Sequence, residues 1–351
     1  MRSAVIAGLL VCLLAGTVVG TPILTVRNPE YDFGSIGIGY MVKHTFILEN
    51  TGDATLQIFR VRASCGCTTT ELETDTLAPG QSIPLEVLVL ADHGSIKNVS
   101  IYVYSNAPDT SGNPNDDQRD PDITMKVRGD LTAKPDYETA PFELAYDFLV
   151  LVDVRDPSAF QTNHLIGAIN MPAGSIMTDI QSLPRDAWIV LYDASGEQGS
   201  TIAQNLISAG YAHTYYLVGG LAKWVEVQGN DRLLYASPLP ASSGSTVVVS
   251  GQNFDSGTLK GNLLVLVDTR SAGEFAAGHL AGAINLSLAQ VSSLAGRIPA
   301  GAKIIVYDGN GTSTAAAAAA FERVGFTNVT GLLGGLNEWI YQYGDRYVLQ
   351  N

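Results

Sequence analysis

The sequence predicts a multidomain chain with an all-β sandwich at the N-terminus, followed by two α/β domains. Two observations carry this prediction. The second half contains an internal repeat, and each unit has the sequence pattern of an α/β domain. The first half contains strand-like segments with alternating apolar and polar residues, separated by Gly, Asn and Asp. The chain has 351 residues, of which 46% are hydrophobic and 15% charged, so it is long enough for two or three packed domains.

The first twenty residues predict export. They read MRSAVIAGLLVCLLAGTVVG, with Arg2 near the start, an apolar core that contains Cys12, and small residues near Gly20. This is the pattern of a signal peptide at residues 1–20, and it is too short and too lightly flanked for a persuasive membrane anchor. We therefore expect a periplasmic or extracellular protein with no transmembrane segment after signal cleavage.

The net charge of −14 argues against a nucleic-acid partner, because such surfaces concentrate Lys and Arg. An anionic membrane surface is disfavoured for the same reason. Beyond that, the charge indicates little more than solubility.

The repeat organises the second half of the chain. The segment FLVLVDVRDPSAFQTNHLIGAINMP, which starts at Phe148, aligns with LLVLVDTRSAGEFAAGHLAGAINLS, which starts at Leu263, at an offset of 115 residues. The same offset aligns VGGLAKW with LGGLNEW without a gap. Units of this length bury their own cores, so we predict duplicated domains at residues 141–233 and 262–344, joined by a Pro-, Ser- and Gly-rich linker at residues 234–261.

Each unit has an α/β pattern. The apolar runs FLVLVDV, AWIVLYD and TYYLVGG predict buried parallel strands, and STIAQNLISAGY and TAAAAAAFERVGF predict helices. Residues 21–133 differ, because HTFILEN, LQIFRVRA, IPLEVLVLA, SIYVYS and ITMKVRG predict an antiparallel sandwich. Within it, residues 106–122 predict a polar loop between strands. Their Asp and Asn residues suggest calcium binding as an alternative, but they lack the spacing of an EF-hand, so a solvated loop is favoured.

Three motifs make both α/β units resemble rhodanese-like domains. They are a D-x-R after the first buried strand, an F-x-x-x-H-L-x-G-A-I-N run, and a late GG-x-x-x-W. The matching residues are Asp153, Arg155 and His164 in the first unit and Asp268, Arg270 and His279 in the second. We expect the Asp and Arg residues to form fold-holding ion pairs and the histidines to stabilise turns.

The resemblance implies a site at the end of a later strand. Active rhodaneses carry a cysteine there, followed by a loop of the form C-x-x-x-x-R. The thiolate takes up sulfur as a persulfide, the loop N–H groups stabilise the anion, and the arginine orients an anionic substrate.

This chain departs from that pattern at all four chemical positions. Asp193 and Asp308 stand where the nucleophile would be, and Gln198 and Ser313 stand where the arginine would be. A carboxylate cannot form a persulfide, and neither unit contains a cysteine. We therefore expect these positions to be vestigial, with each aspartate accepting the loop's own N–H groups and filling the anion site. No catalytic residue, metal ion or cofactor is expected.

The first domain resembles the DUF1573 family of Ig-like domains. The matching features are F-G-x-I, F-x-L-x-N-T-G, S-C-G-C-T, a following P-G and a late S-N. That family has no assigned activity, so the resemblance implies a fold and little more.

Cys65 and Cys67 leave three interpretations open. They are packing beneath a sandwich loop, a disulfide formed under oxidising conditions, and a copper(I) site assisted by His44 or His93. Two functions follow from the whole sequence. The first is an exported binding, scaffold or assembly protein with a protein partner or self-association. The second is a sulfurtransferase or thiol-redox protein that works through Cys65 and Cys67. The sequence favours the first, because neither α/β loop can hold a persulfide.

Overall fold

The computed structural model describes residues 20–108, 120–136, 138–228, 233–234, 253–254, 264–294 and 302–350. Residues 1–19 of the predicted signal peptide, the middle of the predicted polar loop and most of the predicted linker lie outside these residues. Within the described ranges, no helix combines the length and the apolar character needed to cross a membrane. The chain divides into two compact units at Leu131 and Thr132, except that Gly37–Met41 groups with the second unit.

The first unit is a sandwich of two sheets, as predicted. One sheet has the strand order β1-β3-β7-β5 and the other has β2-β9-β8-β4-β6. The strands are β1 (Leu24–Val26), β2 (Glu30–Gly37), β3 (Met41–Asn50), β4 (Leu56–Ala63), β5 (Thr68–Leu72), β6 (Thr76–Leu77), β7 (Ser82–Leu90), β8 (Ile96–Ser105) and β9 (Ile123–Thr132).

Alternation of apolar and polar residues forms the sandwich core. Along β7, the side chains of Ile83, Leu85, Val87 and Val89 are buried, and the residues between them are only partly buried. Successive side chains of a strand point to opposite faces, so this pattern directs one face into the core. The five predicted strands are present, whereas β1, β2, β5 and β6 were not predicted because they are short or only partly buried.

The second unit contains both α/β repeats. The first repeat comprises β10 (Glu138–Thr139), α1 (Pro141–Asp147), β11 (Leu149–Asp153), α2 (Pro157–Thr162), β12 (His164–Leu165), β13 (Ala168–Asn170), α3 (Ile176–Asp179), β14 (Trp188–Tyr192), α4 (Gly199–Ser208), β15 (Thr214–Leu217), α5 (Gly220–Gln228) and β16 (Leu233–Leu234). The second comprises β17 (Asn253–Phe254), β18 (Leu264–Asp268), α6 (Ala272–Ala277), β19 (His279–Leu280), β20 (Ile284–Asn285), β21 (Lys303–Tyr307), α7 (Thr314–Arg323), β22 (Val329–Leu332), α8 (Gly335–Tyr343) and β23 (Val348–Leu349).

Two five-stranded parallel sheets form the centre of this unit. Their strand orders are β13-β11-β14-β15-β17 and β10-β22-β21-β18-β20. The predicted fold class, an all-β sandwich followed by two α/β domains, is therefore confirmed.

The edges of these sheets differ from the predicted boundaries. Strand β10 precedes residue 141, the predicted start of the first repeat, and pairs with β22 of the second repeat. Strand β17 lies within the predicted linker and pairs with β15 of the first repeat. Strand β23 also lies beyond the predicted end of the second repeat. Segments of two residues carry no periodic signal, so the sequence pattern could not reveal them.

The two repeats share part of their cores. Ile166 of the first repeat is buried in the hydrophobic cluster of the second, and the equivalent Ala281 is buried among residues of the first. Arg346 also pairs with Asp186 across the repeats at 2.9 Å. The HLIGAIN and HLAGAIN motifs therefore help to join the repeats as well as to shape each one.

Candidate functional site

The candidate site of the first repeat is the loop between β14 and α4. Strand β14 is buried after its first residue and ends at Tyr192, whose hydroxyl accepts a hydrogen bond from the backbone N–H of Leu165 at 3.1 Å. Tyr307 of the second repeat accepts the equivalent bond from Leu280 at 3.1 Å. These bonds fix the strand ends from which the two loops begin.

Asp193 is the first residue of the β14–α4 loop, and its carboxylate accepts hydrogen bonds from the backbone of the loop itself. Its Oδ1 accepts hydrogen bonds from the N–H groups of Ser195, at 3.0 Å, and Gly196, and its Oδ2 accepts one from the N–H of Gln198 at 2.7 Å. The residue is only 5% exposed. The carboxylate thus uses the backbone donors that face the centre of the loop.

Asp308 has the same arrangement in the second repeat. Its Oδ1 accepts from the N–H groups of Asn310, at 3.0 Å, and Gly311, and its Oδ2 accepts from the N–H of Ser313 at 2.8 Å and from the Ser313 hydroxyl. Burial alone would raise the pKa of Asp308, but these hydrogen bonds outweigh it and hold the pKa below its ordinary value. Asp308 is therefore an anion at neutral pH.

A glycine in each loop allows the Gly-Gly turn of the same repeat to pack closely against the loop. Gly196 and Gly311 have φ angles of +85° and +79°, which favour glycine. A Cβ on Gly196 would lie 2.6 Å from the backbone nitrogen of Gly219, and one on Gly311 would lie 2.7 Å from that of Gly334. The GG of the GG-x-x-x-W motif therefore packs directly on the loop that carries the aspartate.

A pocket of about 540 Å³ opens over the Asp193 loop. The residues that line it include Asp156, Asp193 and Glu197, together with Arg155 and Gln198. Arg155 forms an ion pair with Asp153, and the other charged residues of the lining are acidic.

The D-x-R motifs form buried ion pairs. Arg155 contacts Asp153 at 2.6 Å, with 8% and 0% of the two side chains exposed, and Arg270 contacts Asp268 at 2.6 Å, with 12% and 0% exposed. Burial alone would lower the pKa of each arginine, but hydrogen bonding and attraction to the aspartate raise it. Both guanidinium groups also donate to a backbone carbonyl eight residues later, which ties the motif to the end of the next helix.

The motif histidines lie at those same helix ends. His164 Nδ1 is 2.8 Å from the carbonyl oxygen of Phe160, and its ring stacks on the Phe160 ring at 3.9 Å. His279 makes the same contacts with Phe275, at 2.9 Å and 3.8 Å. Burial lowers the pKa of both histidines.

Comparison with known families identifies both halves of the chain. The family described as "Rhodanese-like domain" matches residues 143–227 and 252–342, which together make up just over half of the chain. The chain belongs to the rhodanese-like family. Residues 24–113 match the family described as "Protein of unknown function (DUF1573)", which corresponds to the sandwich.

Several relatives match over about the length of one rhodanese-like domain. The thiosulfate sulfurtransferase GlpE of Pseudomonas syringae is 33% identical over 75 residues, which cover 21% of this chain and 71% of that protein. The uncharacterized protein YqhL of Bacillus subtilis is 31% identical over 83 residues, which cover 24% and 66%. Among solved structures, the rhodanese-like domain of Alr3790 from Anabaena is 36% identical, covers 23% of this chain and 77% of that chain, and has a TM-score of 0.22.

The two cysteines lie in the sandwich, away from the rhodanese-like loops in sequence. Cys65 and Cys67 are joined in a disulfide with their Cα atoms 5.2 Å apart, just before β5. His44 stacks on Tyr31 at 3.8 Å. In the ranges covered by the structure, no group of three or more His, Cys, Asp or Glu side chains is arranged to hold a metal ion.

One pair of residues at the site, Asn170 and Asn285, was not predicted from the sequence. Asn170 donates through Nδ2 to the carbonyl oxygens of Asp153 and Arg155, and Asn285 does the same to Asp268 and Arg270. Both asparagines are the last residue of a G-A-I-N motif. Their identical position in the two repeats was the sequence signal that could have identified them. They hold the chain that follows the first buried strand at the rim of the site.

Proposed function

We propose that this chain is an exported, non-catalytic binding or assembly protein, in which the rhodanese-like repeats keep their fold without transferring sulfur. The observation that carries the proposal is the position of Asp193 and Asp308. Each stands where the resemblance places a nucleophilic cysteine, and each accepts hydrogen bonds from three backbone N–H groups of its own loop.

The same contacts argue against binding of a sulfur donor such as thiosulfate. An anion in this loop needs the N–H groups that the carboxylate already uses. It would also meet the negative charges of Asp156 and Glu197 at the first site. Gln198 and Ser313 provide no positive charge to offset that repulsion.

The first experiment is a thiosulfate:cyanide sulfurtransferase assay on the purified chain from residue 21 onward. The Pseudomonas syringae thiosulfate sulfurtransferase serves as the active control. We expect thiocyanate to form no faster with this chain than in a control reaction without protein. Turnover that disappears in Asp193→Asn or Asp308→Asn would overturn the proposal and assign activity to the loops.

Turnover that persists in those variants but disappears in Cys65→Ser would instead support sulfur handling by the sandwich thiols. Cys67→Ser is its matched partner. Either result contradicts a non-catalytic role.

The binding role is tested by affinity capture from envelope extract, with sedimentation of the purified chain across a concentration range. A specific partner or a concentration-dependent assembly supports the proposal. A chain that stays monomeric and captures nothing above a tag-only control contradicts it.

A further inference from the structure

The first strand of each rhodanese-like repeat is paired with the sheet of the other repeat. Strand β10 runs parallel to β22, with Glu138 opposite Gly331 and Thr139 opposite Leu332. Strand β17 runs parallel to β15, with Asn253 opposite Tyr216 and Phe254 opposite Leu217. The two registers are related by the same offset of 115 residues that relates the repeats.

Side-chain and backbone contacts hold β10 on its acceptor strand. The Thr139 hydroxyl lies 2.6 Å from the hydroxyl of Thr330, and the N–H of Leu333 donates to the Thr139 carbonyl at 2.9 Å. The side chain of Thr139 is buried. These contacts continue the sheet of the second repeat by one strand.

The helix that follows β10 also packs on the second repeat. Phe148, which is 2% exposed, stacks on Tyr347 with ring centroids 4.2 Å apart, and its centroid lies 5.5 Å from that of Trp339. Leu144 is fully buried in the same cluster, and Asp147 pairs with Lys303.

We propose that the outer edge of β22 is a docking site for the strand and helix of residues 138–148, and that reciprocal exchange of first strands makes the two repeats one folding unit. An uncovered edge strand presents unpaired N–H and C=O groups that accept another strand. Duplication gave both repeats equivalent edges, so exchange of an identical element between them needs no new kind of contact. The partner that this surface fits is the other repeat of the same chain.

Disulfide trapping in the full mature chain tests the pairing. In a Cys65→Ser, Cys67→Ser background, Thr139→Cys is combined either with Thr330→Cys or with Tyr215→Cys. Tyr215 is the equivalent of Thr330 in the first repeat, so it marks where Thr139 would lie if the strand stayed with its own repeat. Oxidised glutathione supplies the oxidant, and each protein disulfide formed releases two molecules of reduced glutathione.

We expect the Thr139/Thr330 pair to lose both free thiols and to run as a monomer on a non-reducing gel. Peptide mass mapping should then identify the 139–330 linkage, and the Thr139/Tyr215 pair should keep its thiols. The proposal is overturned if the 139–215 linkage forms instead, or if neither forms. A 139–330 linkage found only in covalent dimers overturns exchange within one chain and assigns it to two copies.

Hydrogen exchange gives a second measurement that does not depend on cross-linking. Phe148→Ala should accelerate amide exchange in β22 and in β15 by similar factors, because a single folding unit opens as a whole. Acceleration restricted to one repeat, either β22 alone or β14 and β15 alone, contradicts the proposal.

Discussion

Ser313 donates two hydrogen bonds to the carboxylate of Asp308, one from its backbone N–H at 2.8 Å and one from its hydroxyl. Gln198, at the equivalent position of the first repeat, donates to Asp193 through its N–H. The two loops therefore share a backbone design, but the second has an additional side-chain donor that stabilises the charged aspartate.

The first prediction concerns Ser313→Ala and pH. A carboxylate whose pKa is lowered on folding adds stability above its unfolded pKa, about 3.9, and loses it as the pH falls through the folded pKa. Loss of the hydroxyl should cost about 1.5 kcal/mol at pH 7. In thermal melts, the difference between wild type and variant should shrink below about pH 4.

Thr312→Ala is the matched control, because the Thr312 hydroxyl donates to Asn310 and not to Asp308. It should show no such pH-dependent difference. A Ser313→Ala difference that stays constant from pH 7 to pH 3 would show that the hydroxyl does not act through the charge of Asp308.

The second prediction is that Asp193→Cys combined with Gln198→Arg gains the ability to hold sulfur. Removing the carboxylate frees the loop N–H groups for an anion, and the arginine adds positive charge that lowers the thiol pKa. The thiolate would attack the sulfane sulfur of thiosulfate, forming a persulfide and releasing sulfite. Mass spectrometry of the intact protein should show one added sulfur atom after thiosulfate treatment.

Asp193→Ser with Gln198→Arg is the control, since it opens the loop without supplying a nucleophile. If the cysteine variant is folded and titrates as a free thiol but adds no sulfur, then the loop depends on the aspartate for its conformation.

The third prediction is that Arg155→Met strongly destabilises the chain. Without the guanidinium group, Asp153 remains buried with most of its charge unbalanced, which costs about 3–5 kcal/mol. Arg185→Met is the control, because Arg185 is exposed and lies over the Tyr211 ring at 4.5 Å. Chemical denaturation should separate the two variants clearly, and equal losses would refute a special role for the buried pair.

The fourth prediction compares two glycines in the left-handed region. Gly282 has a φ of +78°, and a Cβ there would collide with the carbonyl oxygen of Gly167 in the other repeat, whereas Gly325 has a φ of +99° and open space around its Cβ position. Gly325→Ala should therefore cost about 1–2 kcal/mol of backbone strain. Gly282→Ala should cost more, because it adds a collision between the repeats, and a smaller melting-temperature loss for Gly282→Ala would contradict this contact.

The fifth prediction concerns the oxidation state of Cys65 and Cys67. Thiol titration of the chain from residue 21 onward, isolated without reductant, should find no free thiol, and mild reduction should release two. Two free thiols in the untreated protein would exclude the disulfide and return the pair to the packing or copper interpretations.

The parts of this molecule that the sequence revealed are those with long-range regularity. The 115-residue offset located both repeats, and the D-x-R motif gave ion pairs of the expected partners. Asp193 and Asp308 likewise follow directly after buried strands, which end at Tyr192 and Tyr307. The fold class and the pairing within the D-x-R motifs could therefore be predicted from the sequence.

The remaining features depend on contacts between segments distant in the chain. Nothing local marks Glu138–Thr139 as a strand, because its partners Gly331 and Leu332 are almost two hundred residues away. The pocket over the Asp193 loop is likewise assembled from three separate stretches of chain, and Asp156 and Glu197 meet there only through folding. Such features are fixed by packing and not by residue pattern.

The exchanged first strands also bear on how a gene with this duplication can change. If one copy were deleted, the survivor could complete its sheet only by placing its own first strand, which now pairs with the other copy, on its own edge. Recombination that replaced one copy with an unrelated homologue would face the same difficulty. We therefore expect selection to act on the compatibility of the two copies as a pair.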